Sequence, residues 1–204
     1  MRICRQRRGC GVKLLGSLEM TKAAFLDRDG IINRKAPEGQ YVTRWEDFHV
    51  LPGVIEGIAE LNRVGLLVVV VTNQRCVAKG LMTETDLQDL HRQMCEHLAE
   101  RGATVNAIYY CPHDLEPPCL CRKPAPGMLL DAARSHGLNL AASWMIGDSD
   151  SDIQAGRNAG CRTIRVSAEQ EAGQESSNGF VPDADILVGS LPEAIEQILQ
   201  TSDL

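Results

Sequence analysis

No run of apolar residues approaches the roughly 18 needed to cross a bilayer as a helix, so no membrane span is expected. A basic excess is also missing. The chain carries 21 Lys and Arg against 27 Asp and Glu, net charge −6, which removes the cationic face that nucleic-acid binding requires. Internal repeats and low-complexity tracts are absent. The basic segment 1–19 has no secretory core of roughly 7–15 apolar residues, because its longest apolar stretch, 12–15, is broken by Lys13. It matches a mitochondrial targeting segment only in part. We take residues 1–19 as a disordered extension or an upstream start, with Met20 as the functional start. Residues 20–204 then form a single domain, too short for two. The expectation is a soluble, cytoplasmic protein with no membrane or nucleic-acid partner, and a monomer, since no long exposed apolar stripe is evident.

From residue 20 onward, short apolar runs alternate with amphipathic stretches. Strands are expected at 23–26, 66–71, 107–110, 144–146, 162–166 and 186–188. Helices are expected at 54–64, from Thr83 to about residue 101, and at 127–136, 151–159 and 191–199. Thr83 and Asp86 form a capping-box opening, with Asp where Glu or Gln is usual. Residues 169–182 read as a polar loop. The alternation predicts an α/β fold: a doubly wound, mostly parallel sheet with helices on both faces. Ligands of such sheets sit at the carboxyl ends of the strands, where strand order reverses. Reactive residues should therefore follow the apolar runs, and they do.

The first run leads into Asp27-Arg28-Asp29-Gly30. Paired carboxylates are usually a solvated turn, but at the end of a buried strand they repel one another unless a cation such as Mg²⁺ joins them. The next run ends in Thr72-Asn73-Gln74, whose hydroxyl and amides suit phosphoryl oxygens or, equally, a helix cap. Arg122-Lys123-Pro124 offers two cations, one to neutralise a phosphoryl group and one to fork onto a substrate oxygen. After Met145-Ile146 comes Gly147-Asp148-Ser149-Asp150-Ser151-Asp152. It supplies hard oxygen ligands or an Asp-rich helix start, and both hold if Asp152 caps while Asp148 binds metal.

Of eight cysteines, Cys111, Cys119 and Cys121 cluster with His113. Three thiolates and an imidazole match a closed tetrahedral zinc site, structural because no coordination position is left open. By contrast, His49, His91, His97 and His136 show no evident partner; the spacing puts His91 and His97 on a helix at surface or packing positions.

The ordered set of a strand-end DxDG, a strand-end TN, a Lys-Pro and a strand-end GDxxxD resembles the four motifs of the haloacid dehalogenase superfamily, over residues 23–166. The resemblance implies a three-layer fold with little or no cap domain. Asp27 would attack phosphorus and form an aspartyl-phosphate, and Asp29 would serve as acid and then base. Thr72 and Lys123 would hold phosphoryl oxygens. Asp148 would bind Mg²⁺ with Asp27 and the backbone carbonyl of Asp29. Asn73, Gln74, Arg75, Arg122 and Ser149 would face substrate, and the loop 34–40 would close part of the site.

The Cys-His-Cys-Cys loop narrows the resemblance to a branch that includes heptose 1,7-bisphosphate phosphatases and histidinol-phosphate phosphatases. CRKPAPGML, TNQRCVAKG and IYYCPH resemble the heptose branch. The implied substrate is a small phosphorylated sugar on the route to nucleotide-activated heptose and the lipopolysaccharide core. Two positions depart from the pattern: Arg75-Cys76 stand where Ser-Gly is usual, and Ser149 where some relatives carry Lys. A zinc-stabilised binding module without catalysis is the rival reading, opposed by competent residues at all four motifs.

Overall fold

A computed structural model describes residues 3–4, 21–167 and 184–201. Seven strands form one sheet: β1 (Ile3–Cys4), β2 (Ala23–Leu26), β3 (Leu67–Asn73), β4 (Ala107–Cys111), β5 (Trp144–Gly147), β6 (Arg162–Val166) and β7 (Ile186–Val188). Their spatial order is β1-β4-β3-β2-β5-β6-β7. Strands β2 to β7 run parallel, and β1 adds an antiparallel edge through Ile3 and Cys4 against Tyr109 and Ile108. The rest of the segment 1–19 and the expected loop 169–182 lie outside the described residues.

The helices are α1 (Val54–Arg63), α2 (Arg75–Ala78), α3 (Glu84–Ala99), α4 (Gly127–His136), α5 (Asp150–Ala159) and α6 (Leu191–Gln200). Period-two alternation along the strands feeds two cores. Ala24, Leu26, Val68 and Val70 pack with apolar faces of α1, α3 and α6. Ala23, Phe25, Val69 and Val71 pack with α4 and α5. Because both faces of the sheet centre are covered, β2 to β5 read as nearly continuous apolar runs. Each buried Val, Leu or Ile contributes about 1.5–3 kcal/mol. Thr83 and Asp86 do open α3 with a reciprocal capping box.

The largest differences from the expected elements are a longer strand and an added helix. Strand β3 continues past Val71 because its parallel ladder with β4 holds through Thr72↔Tyr110 and Asn73↔Cys111. The short α2 was not expected; Ala78 N–H donating to the Pro112 carbonyl (3.1 Å) holds it against the segment after β4. No second domain interrupts the sheet among the described residues, and none of their helices is long and apolar enough to cross a membrane.

Candidate active site

The chain leaves β2 for β3 and β4 on one side, then returns to β5, β6 and β7 on the other. Strand order therefore reverses between β2 and β5, where a crevice opens at the carboxyl ends. Asp27 follows β2, and its N–H donates to the Ile146 carbonyl of β5 (3.0 Å). Asp148 follows β5, Thr72 and Asn73 end β3, and Lys123 lies on the loop after β4. Asp27, Asp29, Thr72, Asn73, Gln74, Lys123, Asp148, Ser149 and Asp152 line one cavity of about 340 Å³. Residues 35–42 form its opposite wall.

Two glycines permit this crowding. Gly30 has φ +95°, and a Cβ there would meet Asp148 Oδ2 at 2.3 Å; at Gly147 a Cβ would meet the Asp152 side chain at 2.2 Å.

Lys123 organises the charges. Its Nζ donates to Asp27 Oδ1 (2.7 Å) and the Val71 carbonyl (2.8 Å), and lies 2.5 Å from Asp152 Oδ1. Asp152 is fully buried and also accepts, through Oδ2, from the N–H and Oγ of Ser149. Lys35 reaches across from the far wall to Asp148 Oδ2 (2.8 Å). Burial pushes Asp27 up to about 7; Lys123 opposes this, while Asp152, Asp148 and Asp29 add to it. Asp148 is raised too, by burial first, although Lys35 draws it down.

Asp29 behaves in the opposite way. Burial pushes it up, but Arg28, with hydrogen bonds from Asn33, Arg28 itself and Gln74, outweighs burial and holds it below the ordinary carboxylate range. Gln74 Nε2 donates to both Asp29 Oδ2 (2.9 Å) and Thr72 Oγ1 (2.8 Å).

The HAD-hydrolase-like family model matches residues 120–194. The D-glycero-beta-D-manno-heptose-1,7-bisphosphate 7-phosphatase of Photorhabdus laumondii is 39% identical over 86% of this chain and 96% of its own length. The alpha-anomer 7-phosphatase of Mycobacterium bovis is 38% identical over 78% of this chain and 83% of its own. The chain belongs to the HAD-like hydrolases. The fold of this hydrolase also matches the D,D-heptose 1,7-bisphosphate phosphatase of Bordetella bronchiseptica, solved with magnesium and phosphate. The TM-score is 0.80 at 35% identity, covering 89% of this chain and all of that one.

The hydrolase's donors fit the metals such an enzyme uses. Asp27, Asp148 and Asp152 present oxygens within 4.8 Å of one another, so the acid group includes Asp152 alongside the two expected ligands. The Asp29 side chain is turned toward Arg28, Asn33 and Gln74 and stands outside that group, which leaves only its backbone carbonyl for a cation.

Cys111, His113, Cys119 and Cys121 also converge, with S···S and S···N separations of 3.2–3.5 Å. A tetrahedron with arms of about 2.3 Å has edges near 3.7 Å. All three cysteines are free thiols, not disulfides. Burial raises Cys111 and Cys121; Cys119, also pushed up by burial, falls to about 7 because the Arg122 N–H and the two neighbouring thiols donate to it.

Arg75 and Arg122 do not line the cavity. Arg75 Nε pairs with Asp114 Oδ1 (2.5 Å) on the Cys-His loop, and Arg122 Nη1 reaches the His113 carbonyl at 3.5 Å. Asn73 lines the cavity, yet its amide is committed to both backbone groups of Lys123 (3.0 and 3.1 Å). Sequence reasoning missed Arg28 and Asn33, whose signal was only their nearness to Asp29, and it singled out no residue of the loop 34–40, from which Lys35 reaches Asp148. It also gave His91, His97 and His136 no partners. They meet Arg28 (3.2 Å), the Trp45 ring (5.4 Å between centroids) and the Tyr109 ring (6.4 Å).

Proposed function

We propose that this chain removes the 7-phosphate of D-glycero-D-manno-heptose 1,7-bisphosphate, in the cytoplasmic route to nucleotide-activated heptose and the lipopolysaccharide core. The observation that carries the mechanism is Asp27 in the cavity, 2.7 Å from Lys123 Nζ and beside Asp148. The substrate comes from the relatives, whose names agree on heptose 1,7-bisphosphate, the two sequence relatives adding its 7-phosphate.

Asp27 Oδ forms a bond to phosphorus as the bond from phosphorus to the sugar oxygen breaks. Asp29 gives that oxygen its proton. Asp29 is a carboxylate in the resting site; phosphoryl charge arriving beside it raises its proton affinity, so it takes up that proton from solvent as the substrate binds. As Asp27 becomes an acyl phosphate its carboxylate loses its charge, and the Lys123 hydrogen bond passes to a phosphoryl oxygen. Thr72 Oγ1 already accepts from Gln74, so its hydroxyl proton is directed to the phosphoryl group. Asp29 then takes a proton from the water that displaces phosphate from Asp27.

Mg²⁺, held by Asp27, Asp148 and the Asp29 carbonyl, would neutralise phosphoryl charge, with Asp152 beside them. Zn²⁺ on the Cys-His loop would be structural.

The test is phosphate release from heptose 1,7-bisphosphate and from histidinol phosphate, each with Mg²⁺ and with EDTA. Mg²⁺-dependent release from the bisphosphate alone is expected. Release from histidinol phosphate alone would keep the mechanism and overturn the substrate.

The raised Asp27 makes a second prediction. Its folded pKa of about 7 exceeds the ordinary unfolded value near 3.9, so its contribution to stability is complete below about pH 4 and lost as pH rises through about 7. A cation at the cluster opposes that loss. Mg²⁺ should therefore raise Tm more at about pH 8 than at about pH 5.5, by at least about 2–4 °C. Asp27→Asn should erase the difference. Thermal melts in EDTA and in Mg²⁺ check this, and an equal Mg²⁺ effect at both pH values would contradict it.

A further inference from the structure

His91 is fully buried on α3 and meets Arg28 from behind the active site, Nε2 to Nη1 at 3.2 Å. Arg28 is 1% exposed. On its other side, its Nε and Nη2 face the Asp29 carboxylate at 3.3, 2.9 and 2.9 Å. The Phe48 ring lies against the guanidinium, 5.9 Å from centroid to Cζ.

An arginine has donors only, so the imidazole nitrogen facing it carries the lone pair. The ring proton then sits on Nδ1, which is buried and has no hydrogen-bond partner. Burial first, and the Arg28 charge second, push His91 down to about 3, so the ring is neutral. His91 thus gives a buried Arg28 donor its acceptor while its own Nδ1–H stays unpaired, an arrangement fixed by what the guanidinium needs and not by what the imidazole needs.

What it supplies is orientation. A planar guanidinium held at Nη1 by His91 and on its face by Phe48 has one direction left for its fork. That direction ends on Asp29. Asn33 Nδ2 and Gln74 Nε2 complete the cradle at 2.9 Å each.

We propose that His91 is a positioning residue for the acid–base group Asp29, acting through Arg28. The inference rests on the assignment of Asp29 made above. Loss of His91 lets the guanidinium rotate, and the carboxylate then leaves the line along which it passes a proton to the departing sugar oxygen.

The test compares leaving groups in single turnovers with enzyme in excess and Mg²⁺ present, so that only the first step is read. Heptose 1,7-bisphosphate releases an alkoxide that needs a proton; p-nitrophenyl phosphate releases a phenolate that does not. As the reference, Asp29→Asn should slow the sugar reaction about a hundredfold or more and the nitrophenyl reaction less than about threefold. His91→Leu should show the same selectivity, roughly tenfold against less than about threefold.

His91→Gln, whose Oε1 stands near the position of Nε2 and accepts from Arg28, should restore the sugar reaction to within about threefold of the parent. His91→Asn keeps the polarity but is too short to reach Arg28, so it should behave like His91→Leu even if the leucine variant folds poorly. Equal slowing of both substrates by His91→Leu and His91→Asn, no slowing of either, or failure of His91→Gln to restore the rate would overturn the inference. If Asp29→Asn itself slows both substrates equally, the assignment of Asp29 falls and the inference goes with it.

Discussion

Lys123→Met is expected to abolish phosphate release and to cost about 3–5 kcal/mol of stability, the penalty for leaving a buried charge without its partner. Lys123 is 3% exposed and Asp152 is not exposed at all. Asp152 Oδ1 has no other partner, and the 2.5 Å contact to Nζ is an ion pair without the alignment of a hydrogen bond. Methionine keeps most of the length and removes the charge, so Asp152 and Asp27 would face each other across a desolvated gap. Turnover should fall by at least about a hundredfold, because the cation that compensates phosphoryl charge goes with it. Urea unfolding and phosphate release, both in excess Mg²⁺, measure the two losses. A variant as stable as the parent would mean that the Lys123 and Asp152 pair contributes nothing net to folding.

With zinc on the Cys-His loop as proposed, its removal should have the second largest effect, and it should reach chemistry the metal does not touch. The segment from Pro112 to Pro126 contains no helix or strand, yet it carries Lys123. Four ties bind this segment and the end of β4 to the end of β3 and to α2. They are Gln74 N–H to the Cys111 carbonyl, Ala78 N–H to the Pro112 carbonyl, Arg75 to Asp114, and the Asn73 amide to the backbone of Lys123. The Cys-His cluster closes the loop between those ties. Without the ion, three thiols crowd within 3.5 Å of one another and the loop loses its centre. A displacement of Lys123 by about 1 Å is enough to cost roughly a hundredfold in turnover. Cys119→Ser, or chelation of zinc followed by saturating Mg²⁺, should therefore lower Tm and give that loss, with no rescue by Mg²⁺. Full activity in protein shown to be zinc-free would mean that the four ties hold the loop unaided.

The architecture was legible because the central strands β2 to β5 are covered on both faces, which leaves uninterrupted apolar runs, and because Asp27, Thr72 and Asp148 each follow such a run. Helix α4 and strands β6 and β7 fall at their expected residues. What was not legible depends on distances that spacing does not encode. Asp152 reads as a helix cap and does cap, but its second oxygen meets Lys123 only because the loops after β4 and β5 converge on the same crevice. Arg75 resembles a substrate contact by position, whereas α2 turns it toward Asp114. His91 lies 63 residues from Arg28, and nothing local to either predicts that they meet. Lys35 sits in a loop whose path across the cavity is set by packing around Val42 and Phe48.

The central claim is that Asp27 carries the phosphoryl group, and trapping that adduct tests it most directly. Asp29→Asn, which spares the first step with p-nitrophenyl phosphate and slows the second, would be mixed with p-nitrophenyl phosphate and Mg²⁺, quenched, reduced with borohydride and mapped by mass spectrometry. Conversion of Asp27 to homoserine, dependent on substrate and absent in Asp27→Asn, is the result the account predicts. Release of phosphate in the same reaction with Asp27 unmodified at every time point would contradict it.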